Sequence, residues 1–287
     1  MKILALHGLG SSAAILEEQL SPLASHLGHN YHFTFLDGPI LCGKGPGVPN
    51  SASGPFYSHT TGFTATEIRE ALDRIHTFVQ MYGPFEGIFG FSLGASIAVS
   101  YILEYQQRGY PNPFSFAALF STTAIFSPDD RLEQVIQPLF REDCTKFEYP
   151  TPQGGIFSFE SYLEQNPERD FTEYLQVVLL SMQSMGVHGI LPDRDLNSTQ
   201  SESLPRLIHP QLFQDRVRIP TVHVTGQREP ESIKVQSRVA RALCDTSWVR
   251  TYIHEGGHHV PFNISDVRAI GEIIREAGEQ ERPAKGL

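Results

Sequence analysis

Residues 83–98, GPFEGIFGFSLGASIA, decide how this chain folds. An apolar run of strand length ends at Phe91, and a segment with helical periodicity follows it. Between them, residues 90–94 (Gly-Phe-Ser-Leu-Gly) match the pattern G-x-S-x-G in its strand-then-helix setting. Side chains at the two glycines would collide with the strand and the helix. The stretch therefore predicts a tight turn that lifts the Ser92 hydroxyl out at the carboxyl edge of a sheet; the alternative is an ordinary turn with a capping serine.

Five other short apolar runs resemble the one that precedes Ser92. The six predicted strands cover residues 2–7, 32–36, 85–91, 116–121, 219–225 and 249–253. Helical periodicity is clearest over residues 65–82 and 95–106. Strands that alternate with helices predict a doubly wound, mostly parallel α/β sheet of about six core strands.

One connection is too long for a simple crossover. Roughly 95 residues separate the fourth predicted strand from the fifth, where a crossover needs far fewer. We expect residues 1–287 to form a single domain in which residues 125–215 are inserted as a cap over the sheet, although a decorative surface excursion is the alternative.

Composition excludes several classes of partner. The formal net charge of −10 and the absence of a basic cluster argue against nucleic acid. No apolar run is long enough to span a membrane, and the first residues run directly into a predicted strand, so we expect no targeting segment and a cytoplasmic protein. The three cysteines lack C-x-x-C spacing, which argues against disulfides and a cysteine zinc site.

The segment HEGGHHVP, residues 254–261, admits two interpretations. Its His-Glu-x-x-His spacing matches a zinc site, which requires a helix so that residues four apart share one face. Two glycines inside that helix would cost roughly 2 kcal/mol, and Pro261 closes the segment. A strand that ends in a loop fits better, and it makes His258 the base that activates Ser92. No metal or other cofactor is then expected.

The third member of such a triad is a carboxylate that orients the imidazole. On a sheet of this kind it follows the nucleophile and precedes the histidine in the chain. Glu229, three residues after Gly226, fits this order, whereas Asp245 precedes its strand and belongs to the opposite edge. Asp129 and Asp130 remain alternatives, because they follow the fourth predicted strand.

Two backbone N–H groups are candidates for binding an oxyanion. One belongs to Leu93, directly after the nucleophile. The other belongs to Leu9, in the loop after the first strand, where Gly8 permits a sharp bend. The alternative is that this loop holds ordinary glycines.

With these motifs together, the chain resembles the FSH-type serine hydrolases, a branch of the α/β-hydrolase superfamily that is well represented in fungi. The segments that carry the resemblance are KILALHGLGSS (2–12), FTFLDGPI (33–40), GPFYS (54–58), YGPFEGIFGFSLGASIA (82–98), IPTVHVTGQREP (219–230) and HEGGHHVP (254–261). It implies the α/β-hydrolase fold, with Ser92 as nucleophile and His258 as base. This chain departs from the family pattern at Leu93, where Gln is usual, and at Glu229, where Asp is usual.

The resemblance also implies an activity. Family members include esterases and thioesterases that release or edit acyl chains on polyketide synthases. We therefore expect cleavage of a small-molecule acyl thioester or carboxylic ester in fungal secondary metabolism, with an acyl-carrier protein as a partner. A general carboxylesterase and a non-catalytic ligand-binding protein are the alternatives.

Overall fold

The structure is a computed structural model that describes residues 1–129, 174, 175, 177, 178 and 205–280. Its strands are β1 (Lys2–Leu6), β2 (His32–Leu36), β3 (Ile40–Cys42), β4 (Phe56–Ser58), β5 (Gly87–Phe91), β6 (Phe116–Phe120), β7 (Thr221–Gly226) and β8 (Val249–His254). Its longer helices are α1 (Ala13–Leu27), α2 (Ala65–Tyr82), α3 (Leu93–Gln107), α4 (Glu231–Ala242) and α5 (Ile264–Glu279).

Six of these strands form the predicted sheet, in the order β2-β1-β5-β6-β7-β8. Every neighbouring pair is parallel. The six predicted strands are confirmed to within two residues at each end; the central strands β5 and β6 are buried along their whole length, whereas the edge strands β2 and β8 are only partly buried. Parallel strands place their carboxyl ends at one edge, where the loops that follow β1, β5, β6, β7 and β8 meet.

The helices cover the two faces of the sheet. Apolar side chains of α2, α3 and α4 share one buried cluster with alternate residues of β1, β5 and β6. Those of α1 and α5 pack with the intervening residues on the opposite face. The predicted helix over 65–82 is confirmed, and the second runs from Leu93 to Gln107. A reciprocal bond between Thr64 and Glu67 fixes the start of α2.

A small hairpin was not predicted. β3 and β4 pair antiparallel outside the main sheet. The Tyr57 N–H donates to the Ser11 carbonyl at 2.7 Å, and the Tyr57 carbonyl accepts the Gly10 N–H at 3.0 Å. Three-residue strands are too short for alternation to reveal them in sequence. The hairpin holds the loop after β1 in place.

The insertion begins and ends as a paired stem. The N–H of Ser127 donates to the Arg206 carbonyl at 2.8 Å, and the N–H of Ile208 donates to the Ile125 carbonyl at 2.9 Å. Tyr174, Leu175 and Val178 are also described, and all three are buried in the cluster on the α2 face. The remainder of the expected cap over 125–215 lies outside the described residues, so the cap stays a prediction.

Two further observations, on helix length and on cysteines, hold for the described residues. None of their helices combines the length and apolar character needed to cross a bilayer. Cys42 and Cys244 are free thiols. Cys144 lies outside the described residues.

Candidate active site

Ser92 occupies a strained turn between β5 and α3. Its φ of 54° and ψ of −118° are a conformation that residues with a side chain rarely adopt. A Cβ on Gly90 would overlap the backbone of Ala95, and one on Gly94 would overlap the carbonyl oxygen of Leu6. The glycines of the motif therefore allow strand and helix to approach closely, and the turn aims Ser92 at the carboxyl edge of the sheet.

His258 reaches Ser92 from the loop after β8. Its Nε2 lies 3.1 Å from the Ser92 Oγ, which is hydrogen-bond distance. The ring packs against Phe91 with centroids 5.0 Å apart. Residues 255–259 form bends rather than a helix, so His254 and His258 do not share a helical face as a His-Glu-x-x-His zinc site requires. This local geometry suits proton transfer from the serine.

Glu229 lies on the other side of His258. Its Oε2 is 3.7 Å from the His258 Nδ1, within ion-pair range but longer than a hydrogen bond. Both atoms are buried and have no hydrogen-bond partner among the described residues. Two buried, unsatisfied and complementary groups that face each other are expected to close the remaining gap, since an unpaired polar group costs about 1 to 3 kcal/mol.

The rival carboxylates lie elsewhere. Asp245 precedes β8 and caps the short 3-10 helix Thr246–Trp248, at the amino edge of the sheet as predicted. Asp129 follows the stem of the insertion, and its N–H donates to the Ser127 Oγ at 3.0 Å. Asp130 lies outside the described residues. Of the described candidates, Glu229 is the one that the structure brings to His258.

The loop after β1 runs beside the nucleophile. A Cβ on Gly8 would stand 3.2 Å from the Ser92 Cβ, so glycine allows this close approach. Leu9 follows, and no hydrogen bond within the described ranges uses its N–H as donor. Leu93 is the first residue of α3, where an N–H has no partner within the helix. Both predicted oxyanion donors therefore sit on segments adjacent to Ser92.

A buried histidine pair supports this loop. The His7 Nε2 accepts the Gly38 N–H at 2.9 Å, while Nδ1 contacts the Gly8 carbonyl oxygen at 2.7 Å, so Nδ1 must carry the proton. Burial lowers the pKa of His7. The ring of His59 lies 4.3 Å from that of His7, and burial, followed by the proximity of His7 and Arg74, lowers the pKa of His59 well below its ordinary value. The pair is therefore neutral at pH 7.

An open cavity of about 470 Å³ borders the base. It is lined by the loop that carries His258, by residues 47–50 and by α1. His258 therefore borders this cavity and contacts Ser92 as well, whereas Ser92 does not line the cavity.

One contact at this site was not predicted from the sequence. Ser121, directly after β6, donates its hydroxyl to Oε1 of Glu229. No motif marks it. The only available signal was its position as the last residue of a predicted strand that ends at the same edge as the acid.

Comparison with known proteins identifies relatives of this chain. The family model described as "Serine hydrolase (FSH1)" matches residues 1–270. The chain is 36% identical to "Esterase alnB" of Emericella nidulans over 274 residues, which cover 95% of each chain. It is 26% identical to "Hydrolase FUB4" of Fusarium oxysporum f. sp. lycopersici over 281 residues, 96% of this chain and 98% of that one.

A solved structure supports the fold alone. The crystal structure of esterase PE8 superposes with a TM-score of 0.50 at 14% identity, covering 96% of this chain and 92% of that chain. The predicted α/β-hydrolase fold is confirmed. From the match over residues 1–270 and the esterase relative at 36% identity, we conclude that the chain belongs to the FSH1 serine hydrolase family and is a hydrolase.

Proposed function

We propose that this hydrolase cleaves a carboxylic ester or an acyl thioester through Ser92, His258 and Glu229. Ser92 Oγ attacks the carbonyl carbon while His258 Nε2 takes the hydroxyl proton. The tetrahedral oxyanion is held by the N–H groups of Leu9 and Leu93. His258 then gives its proton to the departing alcohol or thiol, which leaves Ser92 acylated. Water, deprotonated by His258, attacks the acyl carbon, and His258 then returns that proton to Ser92 Oγ as the bond to the acyl group breaks and the acid leaves.

The contact of 3.1 Å between Ser92 Oγ and His258 Nε2 carries this proposal. It joins a serine on a strained turn to an imidazole whose second nitrogen faces a buried carboxylate. A serine that only capped α3 would bond a backbone N–H of the helix, and the Ser92 side chain makes no such bond.

Active-site labelling tests the mechanism. A fluorophosphonate should add its mass to the peptide that contains Ser92, and His258→Ala should slow the labelling sharply. Ser100→Ala is the matched control, since Ser100 is another buried serine of α3, and labelling should persist. An unlabelled Ser92 would overturn its assignment as the nucleophile, and activity that EDTA abolishes and zinc restores would also overturn the mechanism.

Oxyesters are the first substrate class to examine. The relative at 36% identity is named an esterase. A matched series of oxyesters and thioesters with the same acyl group should show hydrolysis of both, because the oxyanion forms on the acyl side in each case. A rate on one class alone would restrict the proposal to that class.

We also propose that residues 125–215 form a cap that covers the acyl chain. The paired stem, Ser127 with Arg206, rises directly after β6, whose carboxyl end borders the site. An apolar cover predicts that kcat/KM rises with acyl length from acetate to decanoate p-nitrophenyl esters. A flat or falling series would contradict it.

The proposal that an acyl-carrier protein is a partner rests on the family resemblance. Carrier proteins are generally acidic, so this chain, with a formal net charge of −10, needs a local basic patch. Arg206 is buried and donates to the Pro128 carbonyl, and Arg216 donates to the carbonyls of Pro210 and Asp215, so both are engaged within the fold. Hydrolysis of an acyl group presented on a carrier protein, compared with the same group on a simple thiol, tests the partner directly. Equal kcat/KM values would exclude it.

A further inference from the structure

Glu229 is held by one of its two carboxylate oxygens. Oε1 accepts the Ser121 hydroxyl and, at 3.0 Å, the backbone N–H of Gly226. Oε2 has no hydrogen-bond partner in the described part of the chain and faces His258. A terminal carboxylate torsion is otherwise soft and roughly two-fold. The two donors on Oε1 therefore determine which oxygen is presented to the imidazole.

Ser121 shares an unusual backbone conformation with the nucleophile. Ser121 has a φ of 49° and Ser92 a φ of 54°, and these are the non-glycine residues with positive φ within the described ranges. Such conformations cost about 1 to 3 kcal/mol each and persist where the surroundings impose them. Both strained serines lie at the same site, one in contact with the base and the other with the acid.

The backbone around Ser121 connects the two sides of the site. The carbonyl of Phe120 accepts the Ser92 N–H at 2.8 Å, and the Ser121 N–H donates to the Val224 carbonyl at 2.8 Å. The peptide unit between Phe120 and Ser121 thus contacts the Ser92 turn through its carbonyl and the strand that leads to Glu229 through its N–H. The position of Ser121 is coupled to both.

Side chains from two helices brace the residues after Ser121. Ser237 in α4 donates its hydroxyl to the Thr122 carbonyl at 2.9 Å, and the Gln236 Oε1 accepts the Ala124 N–H at 2.8 Å. Ser96 in α3 donates to the Ala124 carbonyl. Helix α4 begins two residues after Glu229, so the helix that follows the acid also fixes the segment that orients it.

We propose that Ser121 is a positioning residue that fixes Glu229 Oε1 so that Oε2 faces His258. This inference rests on the proposed triad and adds a fourth side chain to it. Ser121 is 1% exposed and contacts Glu229 rather than the cavity beside His258, so it acts through the acid and not on the substrate.

Removal of the hydroxyl tests the role. Ser121→Gly deletes Oγ and suits a φ of 49°, so the fold should be kept. We expect kcat for p-nitrophenyl acetate to fall about 10- to 100-fold, the effect of losing a hydrogen bond to a charged group, with KM unchanged. Ser100→Ala is the matched control, since it removes a buried hydroxyl that has no hydrogen-bond partner among the described residues, and it should keep the wild-type kcat. Ser121→Ala provides a second variant without the hydroxyl; wild-type kcat in either variant overturns the proposal.

A double-mutant cycle separates positioning from a structural effect. Glu229→Gln should lower kcat by itself, and adding Ser121→Gly should then cause little further loss, because the hydroxyl would have no acid to orient. Full additivity would mean that Ser121 acts independently of Glu229, which overturns the inference but leaves the triad intact. Wild-type kcat in Glu229→Gln would instead overturn the acid assignment, and the role of Ser121 with it.

Discussion

The nucleophile and the acid lie on either side of His258, but they are held in different ways. The Ser92 Oγ is already at 3.1 Å from Nε2, whereas the Glu229 Oε2 is 3.7 Å from Nδ1. The first contact is a hydrogen bond and the second is not yet one. The two contacts of His258 therefore differ in kind, a hydrogen bond to Ser92 and a longer ion-pair contact to Glu229.

This difference arises from how far apart in the sequence the contacting residues lie. Ser92 is positioned by the turn between β5 and α3, so its neighbours in sequence determine its geometry. Glu229 is positioned partly by Gly226 and partly by Ser121, which is 108 residues away. A local turn can be encoded in a five-residue motif, but a side chain held across two strands cannot.

Removal of the nucleophile should have the largest effect. Ser92→Ala is expected to lower kcat on the order of 10⁶-fold, because no other hydroxyl lies at the strained turn. Ester hydrolysis and thermal unfolding, measured on the same preparation, check this. The folded variant should keep a Tm close to that of the wild type, since alanine retains the same backbone conformation and only a hydroxyl is removed. More than about 1% residual activity would mean that another residue is the nucleophile.

Removal of the acid should have a smaller effect. Glu229→Gln is expected to lower kcat about 10⁴-fold, as a neutral amide no longer stabilises the imidazolium. Glu231→Gln is the control, because Glu231 pairs with Lys234 and Arg238 on the surface of α4 and should leave kcat unchanged. If Glu229→Gln keeps activity while Asp129→Asn loses it, the acid lies after β6 instead.

Substitution of Gly94, a glycine of the G-x-S-x-G motif, should destabilise the turn that carries Ser92. In Gly94→Ala the new Cβ would overlap the Leu6 carbonyl oxygen, a backbone atom that cannot rotate away. We expect a loss of about 3 kcal/mol in the free energy of unfolding, the upper range for overpacking. Gly43→Ala is the control, because open space surrounds that position. Equal urea midpoints for the two variants would show that the turn is less tightly packed than described.

Lowering the pH should destabilise the fold near Ser92 through the buried histidines. Burial holds the pKa of His59 well below its ordinary value of 6.5, so the unfolded chain binds more protons than the folded chain below pH 6.5. Stability is therefore full above that pH and falls as the pH falls. One such histidine accounts for about 1 kcal/mol between pH 7.5 and 5.5.

The variant His59→Phe isolates this contribution. It should show a smaller decrease in the free energy of unfolding between pH 7.5 and 5.5 than the wild type. His32→Phe is a control, because His32 is exposed at the start of β2. A wild-type decrease in His59→Phe would mean that His59 does not titrate on unfolding; His223, whose pKa burial lowers to about 3, would then be the next candidate.

Much of the site followed from periodicity and chain order. The strand before Ser92, the helix after it and the loop that carries His258 each have a local signal, and the glycines of residues 256–257 argued against a helix there. Glu229 was predicted as the acid from its order in the chain alone, and Asp129 was an alternative. Ser121 was missed, because its role depends on the pairing of β6 beside β7.

The sequence by itself determined the strands, the Ser92 turn and the location of His258, since these depend on the sizes and preferences of residues adjacent in the chain. Only the tertiary structure decided which carboxylate faces His258 and which of its oxygens is engaged. Those outcomes depend on the order of strands in the sheet, which brings Ser121 and Glu229 together across 108 residues, and no local pattern encodes that distance.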